Sequence, residues 1–394
     1  MLFQTLDEKQ ECVGIYYGDE LIFNQPLPEN LSHTWSYSAF LADLDVEYAK
    51  LYCGSQTLDD ACPESLRDQW GDVKERLLAF HKSLRTARID LSQNCFYDLV
   101  PQRFLIEYCY VRNLITDWVF QNFEKPKNYD YMLDLTREID RIKHTKLKID
   151  LKELNMVKRD HRDFAKKIRK LNPCCHFNIN GTKTGRLTTT KASFPILTFK
   201  HEYRSILKPN NDFFVELDFN AAEIRTLLSL QNKPQPQEDI HEWNIKNVFS
   251  GKETREEAKQ RIFAWLYNPE STDYACEKAY DRKNILTKYF SGDKITNAFG
   301  TEIESEKRTA LNYIIQSTCA ENVLRQMIKV SKALQGSKSY VAFPIHDSIV
   351  IDFSMEDGDK LKELVKIFSQ TGLGDFMVNI RAGKDFGNLK DIEV

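Results

Sequence analysis

The sequence predicts an α+β fold in which an antiparallel sheet carries two aspartates beside several helices. Residues 213–225 (FFVELDFNAAEIR) predict an apolar strand that delivers Asp218 and then turns into a helix. Residues 338–353 predict a hairpin, because apolar, β-rich segments flank a polar turn at Asp347. Helical patterns dominate the chain between these two segments. Strands and helices are therefore mixed, and both aspartates fall near strand ends.

The other elements follow from local patterns. Apolar side chains recur as a packing stripe at the start of residues 128–170, and Pro234 and Pro236 mark a loop. In chain order, the sequence predicts helix over residues 128–170, a strand and then a helix over 211–230, mostly helix over 240–290, a long helix over 303–335 and the hairpin over 338–353.

Asp218 and Asp347 together predict a metal site. Carboxylates on adjacent strands can hold two divalent cations, and cations roughly 3.5 to 4 Å apart stabilise the attacking and leaving oxygens of a phosphoryl transfer. Carboxylates and substrate phosphates are ligands that Mg²⁺ accepts. An isolated aspartate at a strand end is more often a helix cap or a turn residue.

A third element lies between the two aspartates. Arg255, Lys259, Phe263 and Tyr267 recur at intervals of four, which places them along one stripe of a helix. Two cations followed by two aromatic rings suit a nucleoside triphosphate, with its phosphates at the cations and its base and sugar at Phe263. The alternative is an amphipathic helix with solvated cations and aromatic rings in a core.

At this point the chain resembles the family A DNA polymerases. Asp218–Arg225 is similar to that family's first palm motif, Arg255–Tyr267 to its fingers helix and His346-Asp347 to its second palm motif. Smaller matches occur in the same order: Thr184–Leu187, Asp239–His241, the residues Arg308, Asn312 and Gln316, and Gly383–Gly387. The resemblance covers roughly residues 130–394.

The resemblance implies a right-hand polymerase, with an antiparallel-sheet palm and helical fingers and thumb. It implies a thumb at residues 111–185, a first palm segment at 186–239, fingers at 240–300 and a second palm segment at 301–394. Residues 1–110 are expected to form an α/β region that is a vestigial or replaced exonuclease-like domain. Residues 11–23 predict a strand, a turn and a strand, but without the acids that a proofreading site needs.

The resemblance also implies a role for each matched residue, with Mg²⁺ as the cofactor (two ions, for which Mn²⁺ can substitute). Catalysis is assigned to Asp218, Asp347 and Lys259, and metal binding to Asp218, Asp347 and the Phe219 carbonyl. Glu223 is expected to block a sugar 2′-hydroxyl, which favours deoxyribonucleotides. The dNTP set is Arg255, Lys259, Phe263, His241, Glu223 and Tyr267, with Tyr267 at the position where the template base arrives. The primer-template set is Arg186, Arg308, Asn312, Gln316 and His346.

Three departures from the family pattern are present, and the first of them keeps an RNA-synthesising alternative open. Ser348 follows Asp347 where the DNA polymerases usually carry glutamate, and His-Asp-Ser resembles the motif of single-subunit RNA polymerases. Asn268 replaces a familiar glycine, and Phe299-Gly300 lacks the arginines that often follow it. The alternatives are an RNA-synthesising relative and a nucleic-acid-binding homologue without catalysis.

The charge distribution favours nucleic acid as a partner. The net charge of the chain is −3, yet residues 141–208 contain 18 lysines and arginines and five acids, which gives +13. Such a local excess of basic residues suits the neutralisation of duplex phosphates. The basic stretch includes the pairs Lys158-Arg159, Lys166-Lys167 and Arg169-Lys170. The alternative is a solvated helix face.

The remaining features predict an intracellular enzyme. The nine cysteines contain no Cys-x-x-Cys pair, and the start of the chain shows no secretion signal. No apolar run approaches a membrane span, so no membrane partner is expected. We expect a cytoplasmic protein, in a bacterium or in a phage-infected host. Its expected partners are primer-template DNA and dNTPs, with a processivity factor or a separate exonuclease subunit as further candidates.

Overall fold

The chain forms two compact units, Met1–Arg137 and Glu138–Val394. The structure, a computed structural model, describes residues 1–6, 14–91, 94–150, 152–153, 162–191, 193–249 and 251–393, with the main chain only at 162–164. Both units contain helices and strands, which confirms the predicted α+β class.

The first unit contains short strands and two long helices. Strands β1, β2 and β3 form an antiparallel sheet in that order, and β4 and β5 form a parallel pair. The elements are β1 Gln4–Thr5, β2 Gly14–Tyr17, β3 Glu20–Phe23, β4 His33–Thr34, β5 Glu47–Tyr48, α1 Ala49–Tyr52, α2 Leu58–Ala61, α3 Arg67–Thr86, α4 Gln102–Asn122 and α5 Tyr129–His144, with 3-10 turns at Ala39–Leu41, Glu64–Leu66 and Phe96–Leu99.

Helix α4 supplies much of the core of this unit. Its side chains Phe104, Cys109 and Ile115 are buried against Trp70 of α3 and other apolar groups. The predicted boundary between residues 110 and 111 therefore falls inside one packed helix. The predicted strand, turn and strand is present from Gly14 to Phe23, while residues 11–13 lie outside the described residues.

The second unit contains a five-stranded sheet and most of the helices. Its elements are β6 Lys148–Ile149, α6 Arg162–Lys170, β7 Phe177–Asn178, β8 Thr188–Thr189, β9 Leu207–Lys208, β10 Phe213–Phe219, α7 Ala222–Leu230, α8 Ile240–Asn247, α9 Arg255–Tyr267, α10 Tyr274–Tyr280, α11 Arg282–Tyr289, β11 Lys294–Thr296, β12 Glu302–Glu304, α12 Lys307–Ala333, β13 Tyr340–Ile345, β14 Ser348–Phe353, α13 Leu361–Ser369, β15 Gln370–Thr371, β16 Gly374–Asp375, β17 Val378–Gly383 and β18 Lys390–Asp391, with 3-10 turns at Ile196–Thr198, His201–Ile206 and Met355–Lys360.

The main sheet is antiparallel, with the strand order β13-β14-β10-β17-β18. Because side chains alternate along a strand, Val215, Leu217 and Phe219 share one face of β10. All three are buried, and the Phe219 ring stacks on Phe368 of α13 with 4.3 Å between ring centroids. The opposite face of β10 carries Glu216 and Asp218.

Helices α7 to α12 pack together beside the sheet. Their shared core includes Ile224, Ile262, Trp265, Tyr280 and Ile314, all of which are fully buried. Helix α9 begins at a capping box, in which the Thr254 side chain accepts from the Glu257 N–H and the Glu257 carboxylate accepts from the Thr254 N–H. None of the helices in the described part of the chain is long and apolar enough to cross a membrane.

Most of the predicted elements are confirmed. The strand and helix at 211–230, the mostly helical 240–290 and the hairpin at 338–353 are all present. The prediction of helix throughout 128–170 is wrong, because β6 (Lys148–Ile149) interrupts it and pairs with β9 (Leu207–Lys208). The long helix begins at Lys307 and not at residue 303, because residues 302–304 pair with β11.

Candidate active site

The structure brings Asp218 and Asp347 together at one end of the central strands of the main sheet. Asp218 lies near the end of β10, directly opposite Ser348, the first residue of β14. Asp347 lies in the turn between β13 and β14, and its main-chain carbonyl accepts from the Phe219 N–H over 3.4 Å. The turn is tight because His346 adopts the left-handed conformation, with φ of 53°.

The surroundings of the two aspartates disfavour their negative charges. Burial and the charge of Asp347 raise the pKa of Asp218 to about 7, although the Asn379 side chain donates to Asp218 Oδ2 over 3.3 Å and opposes this shift. Burial also raises the pKa of Asp347. The site therefore holds two carboxylates at a free-energy cost that a cation between them would relieve.

These carboxylates fit a divalent cation. A metal ion offsets the repulsion between them, and their oxygens are ligands that Mg²⁺ accepts. No group of three or more His, Cys, Asp or Glu side chains within the described ranges is placed to hold a metal ion. Mg²⁺ commonly binds through one or two carboxylates and takes its remaining ligands from water and substrate phosphates. The Phe219 side chain faces away toward Phe368, so only its main chain is available to the site.

Glu223 lies in the first turn of α7 and is held by two partners. It accepts from Arg186 Nη2 over 2.5 Å and from the Tyr267 hydroxyl. The Tyr267 ring stacks on Phe263, with 5.9 Å between centroids, and Gln316 also hydrogen-bonds to Tyr267. The left-handed conformation of Ala221, with φ of 51°, turns the chain sharply from β10 into this helix.

Helix α9 presents the predicted stripe on its surface. Arg255 and Lys259 are exposed, Phe263 is half-buried and Tyr267 is exposed. Arg255 forms an ion pair with Asp239, with 2.9 Å between Nη2 and Oδ2. The geometry places cations at the start of the stripe and stacked aromatic rings at its end.

Asp239 links helix α9 to helix α8. Its carboxylate caps α8 by accepting from the N–H groups of His241 and Glu242, and it also accepts from the Asn220 side chain over 2.9 Å. Burial raises the pKa of Asp239, but the hydrogen bonds from Arg255 and Asn220 outweigh this and hold it well below its usual range. The charged carboxylate therefore fixes the first turn of α8 next to the stripe.

His241 is buried beside the same stripe. Its side chain is 3% exposed, and its Nδ1 has no hydrogen-bond partner. Burial lowers the pKa of His241, so the ring is neutral near pH 7. The ring lies near Arg255 and Lys259, whose charges act on it, and its Nδ1 is a buried polar atom that a hydrogen bond would stabilise.

Two cavities meet at these residues. A cavity of about 210 Å³ is bordered by Asp347, Glu223 and Phe263. A second cavity of about 460 Å³ is lined mainly by residues 182–198 and by Ala320, Leu324 and Pro344. Arg186 and His346 border both cavities. Among the predicted site residues, these cavities are therefore bordered by Asp347, Glu223, Phe263, Arg186 and His346.

The other predicted primer-template residues lie on α12. Arg308 is exposed near its start, and Asn312 and Gln316 follow at intervals of four on the same face. These three residues line neither of the two cavities. Asn312 Oδ1 is buried without a hydrogen-bond partner.

The predicted basic surface is described only in part. Helix α6 carries Lys166, Lys167, Arg169 and Lys170 as exposed residues, and Ile168 as a buried one. The pair Lys158-Arg159 lies outside the described residues. The described helix is a basic amphipathic helix, which agrees with both a phosphate-binding surface and a solvated face.

Sequence reasoning missed three polar residues next to Asp218. Asn379 and Arg381 lie on β17, opposite Asp218 and Glu216 respectively, and Glu216 precedes Asp218 on the same face. The one available signal was Glu216, a charged residue inside an otherwise apolar strand. Nothing in the local sequence indicates that β17 pairs with β10.

The described fold has a counterpart among solved structures. It is similar to a solved structure of the POL domain of Pol1 from M. smegmatis in complex with DNA primer-template and dNTP. The TM-score is 0.63 at 14% sequence identity, over 87% of this chain and 82% of that chain.

Two sequence comparisons give matches to this chain. Residues 269–388 match the model of DNA polymerase family A. DNA polymerase I of Borreliella burgdorferi is 23% identical over 264 residues, which cover 53% of this chain and 29% of that protein. The predicted resemblance to the family A DNA polymerases is therefore confirmed. The family-model match contains Asp347 and α12, whereas Asp218 and α9 precede it.

Proposed function

We propose that this chain is a template-directed DNA polymerase that adds dNTPs to a primer 3′-hydroxyl and lacks 3′-5′ proofreading. The observation that carries the proposal is the proximity of Asp218 to Asp347, whose charge acts on it, where Asp347 borders a cavity that Glu223 and Phe263 also border. Paired carboxylates beside a helix that presents Arg255 and Lys259 suit phosphoryl transfer from a nucleoside triphosphate.

Asp218 and Asp347 would hold two Mg²⁺ ions, for which Mn²⁺ can substitute. When bound, such ions lower the pKa of a primer hydroxyl and neutralise charge on the triphosphate and on the departing pyrophosphate. The protein's own contribution is to hold one carboxylate near the end of β10 and the other in the turn that precedes its partner strand β14. Little covalent chemistry is then required of the side chains.

Arg255, Lys259 and His241 would bind the triphosphate. The two cations are exposed and His241 keeps an unpartnered nitrogen, so all three can take up phosphate oxygens. Arg255 is already paired with Asp239, and binding would require it to share or exchange that partner. Lys259 would also donate a proton to the leaving group.

Glu223 and the aromatic rings would select the sugar and the base. Glu223 is fixed by Arg186 and Tyr267, and a fixed carboxylate beside the sugar excludes a 2′-hydroxyl. Phe263 would contact the base and sugar, and Tyr267 would lie where the template base arrives. Arg186, His346, Arg308, Asn312 and Gln316 would contact the primer-template.

We also propose that the N-terminal unit has no exonuclease activity. The strand, turn and strand of residues 11–23 lacks the Asp-x-Glu that a proofreading site would need on its first strand. This unit would serve as a structural or partner-binding element, and a separate exonuclease subunit would supply proofreading. The test is release of 3′ nucleotides from single-stranded DNA in Mg²⁺; sustained release by the purified chain would refute this part of the proposal.

Two alternatives are kept, and Ser348 after Asp347 supports the first of them. One is an RNA-synthesising enzyme, and the other is a nucleic-acid-binding homologue without catalysis. Glu223 favours DNA synthesis over RNA synthesis, since it narrows the space for a ribose. The presence of Asp218, Asp347, Arg255 and Lys259 together argues against the loss of catalysis.

The deciding experiment is Mg²⁺-dependent extension of a labelled DNA primer on a DNA template, with dNTPs and NTPs supplied separately. The variants are Asp218→Ala and Asp347→Ala, and Asp359→Ala is a matched control at an exposed position. The proposal expects extension with dNTPs that the two site variants abolish and the control retains. Ribonucleotide preference would support the RNA polymerase alternative, and duplex binding without extension would support the silent homologue.

A further inference from the structure

Glu216 is a buried carboxylate that the proposed chemistry does not use. It lies two residues before Asp218 on the same face of β10, and it is only 3% exposed. A buried carboxylate requires compensation by a cation or by hydrogen bonds. The groups around Glu216 must therefore provide the positive charge or the hydrogen bonds that stabilise its carboxylate.

Two neighbouring strands supply the partners of Glu216. Arg381 lies directly opposite it on β17, and the guanidinium forms an ion pair with Glu216 Oε2. On the other side, the buried Ser348 Oγ lies 3.3 Å from Glu216 Oε1 and 3.0 Å from the Ile345 carbonyl, to either of which it can donate. Ser348 is the residue directly opposite Asp218.

Arg381 has a second carboxylate within reach. It is the diagonal neighbour of Asp218 across β10 and β17, because Asn379 is the residue directly opposite Asp218. Diagonal neighbours on one face are roughly 7 to 8 Å apart, which a long side chain can bridge. The positive charge of Arg381 already acts on the Asp218 carboxylate. Without Glu216, Asp218 would be the nearest carboxylate on this face of β10.

We propose that Glu216 is a positioning residue that keeps Arg381 away from Asp218, so that Asp218 remains available to a divalent cation. The Ser348 hydroxyl contributes by fixing the Glu216 carboxylate. This inference rests on the proposed function, because that function makes Asp218 a metal ligand. A guanidinium paired with Asp218 would compete directly with the metal for the same oxygens.

The test is a titration of the full chain with Mn²⁺ in the absence of nucleotide and DNA. The electron paramagnetic resonance signal of free Mn²⁺ measures how much of the ion is bound. Glu216→Gln removes the charge of the carboxylate and keeps its shape. We expect roughly tenfold weaker Mn²⁺ binding, because the released Arg381 pairs with Asp218. The double variant Glu216→Gln/Arg381→Gln removes the competing cation and is expected to bind Mn²⁺ as the unmodified chain does. A Glu216→Gln variant with unchanged affinity, or a double variant that stays weak, overturns the proposal.

Arg381→Gln provides an independent test if Glu216→Gln does not fold. It retains Glu216 and removes the competing cation, so Mn²⁺ must bind at least as tightly as in the unmodified chain. Weaker binding in Arg381→Gln overturns the proposal. Asp218→Asn separates this proposal from the proposed function. If Asp218→Asn retains its affinity for Mn²⁺, both are refuted. If Asp218→Asn loses Mn²⁺ affinity while Glu216→Gln keeps normal affinity, only the role of Glu216 is refuted.

Discussion

The Tyr267 hydroxyl donates a hydrogen bond to the Glu223 carboxylate, which joins the last residue of α9 to the first turn of α7. The other carboxylate oxygen accepts from Arg186, and the Glu223 side chain is 13% exposed. Both oxygens are occupied, so this carboxylate has a fixed orientation beside the smaller cavity. The two hydrogen bonds join the end of α9 and the segment that contains Arg186 to the first turn of α7.

Replacement of Glu223 is expected to relax sugar selection. Glu223→Ala opens the space that a 2′-hydroxyl requires, and the ratio of dNTP to NTP incorporation should fall by roughly tenfold to a hundredfold. Tyr267→Phe removes one hydrogen bond and keeps the carboxylate, so it should give a smaller decrease. Single-nucleotide kcat/KM for both sugars provides the measurement, with the exposed Glu270→Ala as the control. Unchanged selectivity in Glu223→Ala would remove Glu223 from this role.

Lys259 is expected to act on the triphosphate. Lys259→Ala should lower kcat/KM for dNTP by roughly a hundredfold, because a charge-assisted contact to the phosphates is lost. Lys252→Ala removes an exposed lysine that precedes the same helix and should leave kcat/KM unchanged. Binding of primer-template should be equal in both variants, as measured by fluorescence anisotropy. If both substitutions lowered kcat/KM equally, the overall charge of the protein, and not the position of Lys259, would explain the effect.

Asp218 is expected to reduce the stability of the metal-free protein above neutral pH. Its pKa is raised from an ordinary value of 3.8 to about 7, so the folded state binds this proton more tightly than the unfolded state does. The free energy of unfolding should then fall as pH rises from about 4 to about 7, and the loss is complete above this range. Asp218→Asn, which carries no charge, should be more stable than the unmodified chain at pH 8 by about 1 to 3 kcal/mol.

Urea unfolding in EDTA at pH 5 and pH 8 measures this difference. The gain from Asp218→Asn should be smaller at pH 5 than at pH 8, and the exposed Asp359→Asn should show no gain at either pH. A gain of equal size at both pH values would mean that the amide improves packing and that the charge of Asp218 is not its cause.

Two substitutions of Asp239 are expected to distinguish the stabilisation by its helix cap from the stabilisation by its ion pair with Arg255. Asp239→Ala loses the cap of α8 and should lower the free energy of unfolding by about 1 to 2 kcal/mol. Asp239→Asn keeps a good capping side chain and should cost less, while it still removes the negative partner of Arg255. Urea unfolding at pH 7 compares the two variants. Equal losses would show that the ion pair, and not the cap, stabilises this helix.

Local sequence patterns were sufficient for the elements that carry the site. Strand β10 and helix α7 follow from an apolar run and a helical period within 18 residues (213–230), and the turn at His346-Asp347 follows from polar residues between two apolar segments. The failure at Lys148–Ile149 has a different origin. That strand exists because it pairs with Leu207–Lys208, which no local pattern near residue 148 can indicate.

The sequence by itself determined which residues are the candidates for the chemistry, because type and spacing single out the two aspartates and the Arg255, Lys259, Phe263 and Tyr267 stripe. The tertiary structure decided which charged groups neutralise each other. Glu216 pairs with Arg381, and Glu223 with Arg186, across long separations in the chain. Such pairs depend on strand register and helix packing, which are set by the whole core and not by neighbours in sequence.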